Sequence, residues 1–127
     1  MPDYNEYALH RFWSSFGLKA WDETTVPDDA MTRGNGAYIT YGVSTSSFED
    51  PVPLHASIWY RQTDWTDITA KCNEISNFIG YGGKLVPFDD GALWIVRGVP
   101  FAQRMEDEDD QVRRIYLNIM VEFLSVN

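Results

Sequence analysis

The spacing of apolar residues predicts a first helix over residues 4–16. The positions that fit helical spacing are Tyr7, Ala8, Leu9, Phe12, Trp13 and Phe16. Asp3 and Glu6 match a capping box, in which each side chain satisfies a free backbone N–H of the first turn. Gly17 follows the last apolar position and is a plausible helix stop. We therefore expect a helix whose broad apolar face is covered by a sheet or by another subunit.

A second helix is expected after Asp64, which can cap its first turn. Its apolar positions, three and four residues apart, are Trp65, Ile68, Cys72, Ile75 and Phe78. Gly80, Gly82 and Gly83 then end it. Because Cys72 lies on the apolar side, the sequence predicts a buried, unreactive thiol.

Alternating apolar and polar positions predict the strands. They are expected at residues 18–21, 37–43, 54–61, 84–88, 92–97 and 112–124. Asp89, Asp90 and Gly91 are typical of a hairpin turn. The last strand would span roughly 40 Å over its thirteen residues. That is longer than a usual strand, so we expect one end to project beyond the sheet or to bend.

Long loops are expected at residues 22–36, 44–53 and 98–111. The length of the chain is that of one domain, residues 1–127. The predicted fold class is α+β, with a mostly antiparallel sheet of four to five strands and two helices packed on one face.

Composition narrows the possible partners. The formal charge of −9 and the pI near 4.4 disfavour binding to nucleic acid backbones or to anionic membranes. No apolar stretch reaches 18 residues and no signal peptide is recognisable, so we expect no membrane span and folding in a cytoplasm. Aromatic residues make up 15% of the chain. They either fill the core or also form an interface, where aromatics are enriched.

The sequence offers no recognisable catalytic, cofactor or metal site. His10 lies in the first predicted helix and His55 in a strand, and neither accompanies a nucleophile motif. One cysteine and two histidines cannot form a structural zinc site. The acidic run at residues 106–110 lacks the ligand spacing of a calcium loop. We therefore expect a protein that is not an enzyme.

Several segments resemble the tail-terminator, or tail-completion, proteins of long-tailed bacteriophages and prophages. The matching segments are residues 26–27 (VP), 37–41 (AYITY), 57–61 (SIWYR), 67–79 with 82–83, 98–103 (GVPFAQ) and 114–119 (RIYLNI). The similarity extends over about residues 5–124. The length of the 22–36 loop and the number of consecutive acids at residues 106–110 have no counterpart in that pattern.

The resemblance implies a virion protein of the tail, assembled in the cytoplasm of a bacterial host, without a cofactor. Such proteins form a ring, typically a hexamer, at the head-proximal end of the tail tube. The ring stops tube polymerisation and joins the head, so its partners are the major tail tube protein and a head-completion or connector protein. DNA only passes through the lumen.

A ring requires complementary surfaces between copies. We expect arginines of one subunit to meet acids of the next, or to pair within the subunit. The interface candidates are Arg97, Arg104, Glu106, Asp107, Glu108, Asp109, Asp110, Arg113 and Arg114. We also expect acids to line the lumen. Alternative functions are a head–tail connector (neck) protein and an acidic inhibitor that mimics DNA.

Overall fold

A computed structural model describes residues 5–43, 51–89 and 91–125, although not the side chains of residues 5, 6 and 125. Its elements are α1 (Asn5–Ser14), β1 (Lys19–Asp22), α2 (Ala30–Arg33), β2 (Ala37–Tyr41), β3 (Val52–Arg61), α3 (Thr66–Ile79), β4 (Lys84–Phe88), β5 (Gly91–Met105) and β6 (Val112–Ser125). Over these residues the strands form one sheet in the order β1-β2-β3-β6-β5-β4. The α+β class is confirmed, but the sheet has six strands rather than four to five. Among the described strands, only β1 and β2 pair in parallel.

One face of the sheet, called here the first face, packs against α1 and α3. Apolar side chains from both helices and from alternate strand positions form a single core. The register Ile39–Ile58–Ile115 runs across three neighbouring strands at the centre of that core. Residues one step along each strand point to the opposite side, called here the second face.

The first helix is shorter than the predicted range of 4–16. It ends at Ser14, and Gly17 adopts a left-handed φ of 80°, which a glycine adopts without strain. Tyr7 is exposed, although its spacing predicts a core position. Asp3 and the side chain of Glu6 lie outside the described residues, so the predicted capping box stays a prediction.

The second long helix, α3, ends where expected, but it begins at Thr66, so Trp65 precedes the helix instead of forming its first apolar position. The Asp64 carboxylate accepts a hydrogen bond from the N–H of Thr66 (2.9 Å), and Gly80 follows the last residue with a φ of 76°. Ile68, Cys72 and Ile75 are buried, as expected. The prediction for Phe78 is wrong, because it is 42% exposed and Ile79, four residues after Ile75, fills the core instead.

The segment from 22 to 36 is not wholly a loop. It contains the single-turn helix α2, in which Ala30 is buried and Arg33 forms an ion pair with Asp29 at 2.9 Å. One turn is too short to show helical periodicity, so the sequence pattern misses it. The predicted 44–53 loop is also shorter, since β3 already begins at Val52; residues 44–50 lie outside the described part.

The predicted hairpin between β4 and β5 is confirmed, but the long loop predicted at 98–111 is wrong. Strand β5 continues to Met105, and an irregularity between Arg97 and Ala102 interrupts its pairing with β6. Gly98 and Pro100 give this stretch the composition of a loop. The pairing resumes at Ala102 because β6 still offers hydrogen-bonding groups along its length.

Over its described residues strand β6 does not project from the sheet, so the first of the two outcomes expected for this long strand, a projecting end, is wrong. Residues 112–121 pair with β3 and most of residues 114–125 pair with β5. Its odd-numbered residues from Ile115 to Phe123 are buried on the first face, as the alternation predicts. The long strand β6 is therefore one of the two central strands of the sheet, next to β3.

A candidate interaction surface on the second face of the sheet

The second face carries a row of aromatic side chains contributed by four strands. Trp21 contacts Tyr38 edge-on with ring centroids 5.8 Å apart, and Tyr38 stacks on Trp59 at 5.8 Å with an angle of 11° between the rings. The Arg114 guanidinium lies 4.5 Å from the centre of the Trp59 ring and 6.0 Å from that of Tyr116. We call these five residues the aromatic row.

Hydrogen bonds fix the middle of the aromatic row. The indole N–H of Trp59 donates to the Thr40 hydroxyl at 3.1 Å. The Nε of Arg114 donates to the hydroxyl of Ser57 at 3.0 Å, and Ser57 is itself buried. Burial also raises the pKa of Tyr38, and nearby Asp107 adds to the rise while Arg114 opposes it. The row is thus largely preorganised for contact with a partner.

His55 extends the aromatic row towards the end of β2. Its ring stacks on Tyr116 at 5.5 Å, and its Nε2 lies 2.7 Å from a carboxylate oxygen of Glu23. A Cβ on Gly42 would lie 3.0 Å from the His55 ring, so the backbone approaches this pair closely. This contact is solvent-exposed and contributes little to stability. His10, in α1, lies 2.8 Å from the hydroxyl of Tyr41.

The other end of the second face is apolar and exposed. Leu85 and Trp94 are neighbours across the β4–β5 pairing and are 49% and 37% exposed. Leu124 of β6 is 40% exposed. Exposed apolar groups in one region are typical of protein-binding surfaces.

The structure places the four predicted interface arginines in three different surroundings. Arg97 points to the first face, where its Nη1 donates to the Ser76 hydroxyl of α3 at 2.8 Å. Arg104 and Arg113 lie over the ring of Trp65, at 4.5 and 5.6 Å from its centre. Arg113 also donates to the carbonyl of Thr63 at 2.6 Å. Arg114 therefore differs from the other three in facing the second face.

The five predicted acids form the turn between β5 and β6, called here the acidic loop (residues 106–110). Backbone N–H groups of Asp109 and Gln111 donate to the Asp107 and Asp109 carboxylates at 2.9 Å, which holds the loop in successive tight turns. Asp107 is partly exposed and the other four acids are exposed. Across the described chain, the ion pair found for this loop joins Asp109 to Arg61 at 3.8 Å.

Part of the predicted set meets in one cleft of about 270 Å³ beside Trp65. Its charged lining residues are Arg104, Glu106, Asp107, Asp110 and Arg113. No carboxylate of the described chain comes within 4.0 Å of these two arginines. The cleft thus brings opposite charges near one another without forming an ion pair, and Arg97 and Arg114 lie outside its lining.

Cys72 lies on the buried side of α3, and burial raises the pKa of its thiol. Within residues 5–43, 51–89 and 91–125, no group of three or more His, Cys, Asp or Glu side chains could hold a metal ion. The helices in these ranges do not combine the length and the hydropathy that a membrane span requires.

The sequence pattern did not identify the aromatic row as a unit. A signal was present, since Tyr38, Trp59 and Tyr116 each occupy a strand position out of phase with the core residues. Such positions are usually polar when one face of an antiparallel sheet is solvated. The row becomes recognisable only when the register places the three rings side by side.

Comparison with known proteins gives a likeness of fold. No protein-family model and no curated protein matches the chain. A chain in a solved structure of the virion of a native gene transfer agent particle superposes with a TM-score of 0.56 and 18% sequence identity, covering 87% of this chain and 81% of the other. At this identity the two chains share a fold.

Proposed function

We propose that this chain is a structural subunit of a virion that forms a ring at the head-proximal end of a phage-like tail tube. There it stops tube polymerisation and provides the surface that joins the head. The proposal depends mainly on the fold, which is similar to that of a virion chain over 87% of the present chain. The resemblance of its sequence segments to tail terminators supports the more specific proposal of a ring that ends the tail tube.

The surfaces of the molecule support a role in assembly. The second face carries an aromatic row at one end and exposed apolar side chains at the other. Tyrosine, tryptophan and arginine are the residue types enriched at protein interfaces. A subunit in a ring needs two complementary surfaces for its neighbours and further ones for the tube and the head.

Charge supports the passage of DNA without binding. The formal charge is −9, and like charge disfavours contact between the ring and the phosphate backbone. Five of the 19 acids are consecutive in the acidic loop rather than spaced over a surface. This distribution disfavours the alternative of an inhibitor that mimics the evenly spaced phosphates of DNA.

The test is assembly with the tail tube protein encoded in the same gene cluster. We expect the purified chain to form rings on one end of each tube and to limit tube length, as seen by negative-stain electron microscopy. Tubes polymerised without the chain provide the baseline. Binding to a purified portal or connector but not to tubes would favour a neck protein, and inhibition of a nuclease would favour the DNA mimic. Either result would overturn the tail-terminator function.

A further inference from the structure

Arg114 has hydrogen-bonding capacity that the described part of its own chain does not use. Its Nε donates to Ser57, but among the described residues no acceptor binds its two terminal amino groups and no carboxylate lies within 4.0 Å. The Trp59 ring holds the guanidinium plane in place. An oriented guanidinium of this kind matches the two oxygens of a carboxylate.

The same chain carries the complementary group. Glu106 and Glu108 are exposed, and neither has a hydrogen bond or an ion pair in the part of the chain that the structure describes. The acidic loop begins directly after Met105, which is the cross-strand neighbour of Arg114. Asp107 and Arg114 also have opposite effects on the pKa of Tyr38, since the carboxylate raises it and the guanidinium lowers it.

Adjacent patches of opposite charge suit a contact between two copies related by a twofold axis. In such a contact each copy presents the same surface, so a positive patch on one meets the negative patch on the other twice. The Tyr38 and Trp59 rings lie beside Arg114 and supply apolar area at little entropic cost.

We propose that the second face is a self-association surface, on which the acidic loop of a second copy binds Arg114 while its own Arg114 binds the acidic loop of the first. The carboxylates of Glu106 and Glu108 are the acceptors that remain available. This contact goes beyond the proposed ring and does not depend on a tail tube.

A single-stranded nucleic acid is the competing occupant, because aromatic side chains next to arginine can stack bases. The acidic loop argues against it, since phosphates bound at Arg114 would lie next to the uncompensated carboxylates of the same copy. A second copy avoids this repulsion because it places an arginine opposite each acidic loop.

The experiment uses the full chain and two variants, Arg114→Glu and the double variant Glu106→Lys with Glu108→Lys. We expect the unaltered chain to sediment as a dimer at low ionic strength. Each variant should dissociate, with its dimer constant weakened about tenfold or more. Mixing the two variants should restore dimers, because each reversed charge then meets its opposite. The control is Arg33→Glu, which makes the same charge change at an exposed arginine of α2.

A second measurement identifies the contact directly. The Arg114→Lys variant is mixed from ¹⁴N- and ¹⁵N-labelled chains and treated with a carbodiimide. It should give cross-links from the introduced amine of one isotope to the acidic loop of the other. Circular dichroism confirms that each variant is folded. A chain that stays monomeric up to millimolar concentration, or links confined to one isotope, would overturn the proposal. So would a monomer whose tryptophan fluorescence is quenched by oligothymidylate, which would make nucleic acid the occupant.

Discussion

Cys72 shows how burial determines the chemistry of a single side chain. It is 7% exposed on the side of α3 that packs against the sheet. A thiolate there would lose hydration without gaining a cationic partner, so the pKa of the thiol rises above its ordinary value of 9.0. The group behaves as a small apolar residue, as its position in the helical pattern predicts.

This burial predicts a loss of stability in alkali. The unfolded thiol ionises near pH 9.0, but the folded thiol ionises only at higher pH. The thiol therefore leaves the unfolding free energy unchanged below pH 9.0 and lowers it above that pH. The fall approaches about 1.4 kcal/mol per pH unit for one group. Urea titrations at stepped pH values measure it.

A Cys72→Ala variant isolates the contribution of the thiol. It should be less stable at neutral pH by about 1–2 kcal/mol because of the cavity it leaves. Between pH 9.0 and 10.0 its stability should change less with pH than that of the unaltered chain. Above pH 10.0 both proteins should lose stability, because burial also raises the pKa of Tyr38 and Tyr60. Equal slopes in the first interval would contradict the assignment.

At the scale of the element, strand β5 depends on a close approach at Gly98. A Cβ at this position would lie 2.9 Å from both the Cβ and the carbonyl oxygen of Asn118 on β6. The Asn118 side chain also donates to the Pro100 carbonyl at 3.1 Å, across the irregular part of the pairing. The irregular part of β5 can therefore approach β6 closely because Gly98 has no side chain, and the Asn118 hydrogen bond to Pro100 holds it there.

We predict that Gly98→Ala destabilises the protein by about 1–3 kcal/mol, since backbone and a packed side chain must move to admit the methyl group. Thermal unfolding followed by circular dichroism measures the change. Gly82→Ala is the matched control, because nothing lies within 4 Å of a Cβ there and the change should be nearly neutral. A Gly98→Ala protein as stable as the Gly82→Ala protein would refute the role of the close approach.

Elements that are long and regularly spaced could be predicted from the sequence. The buried positions of α3 and the alternation of β6 follow directly from their periods. The continuation of β5 past Gly98 could not, because it depends on a partner strand distant in the chain. The same limit applies to the candidate site: arginines at 104, 113 and 114 look equivalent in sequence, yet the register directs only the last to the second face.

At the scale of the whole molecule, negative charge is both large and unevenly distributed. The chain carries 19 acidic against 10 basic residues, and five of the acids are consecutive in the acidic loop. Like charges at this density repel one another and oppose compact folding at low ionic strength. If the same loop binds Arg114 of a second copy, its charge favours association while it disfavours the folded monomer.

The two effects of the acidic loop predict that added salt raises the stability of the monomer and lowers the stability of the dimer. Raising sodium chloride from a few millimolar to about 0.15 M shortens the screening length to about 8 Å. We expect the midpoint of thermal unfolding, measured on dilute monomer, to rise by a few degrees as repulsion is screened. Dimer formation, measured by sedimentation, should weaken over the same range because the attraction between the loop and Arg114 is screened as well.

Neutralising the acidic loop should reduce both responses together. The variant replaces each Asp of the loop by Asn and each Glu by Gln, so that amide oxygens can still accept from the N–H groups of Asp109 and Gln111. Its monomer should be more stable at low salt by about 1 kcal/mol and should vary little with salt. Its dimer should be lost at every salt concentration. Neutralising Asp28, which is exposed and lies outside the acidic loop, should leave both salt responses intact. A general effect of net charge would appear in both variants, whereas a local effect of the acidic loop would appear only in the loop variant.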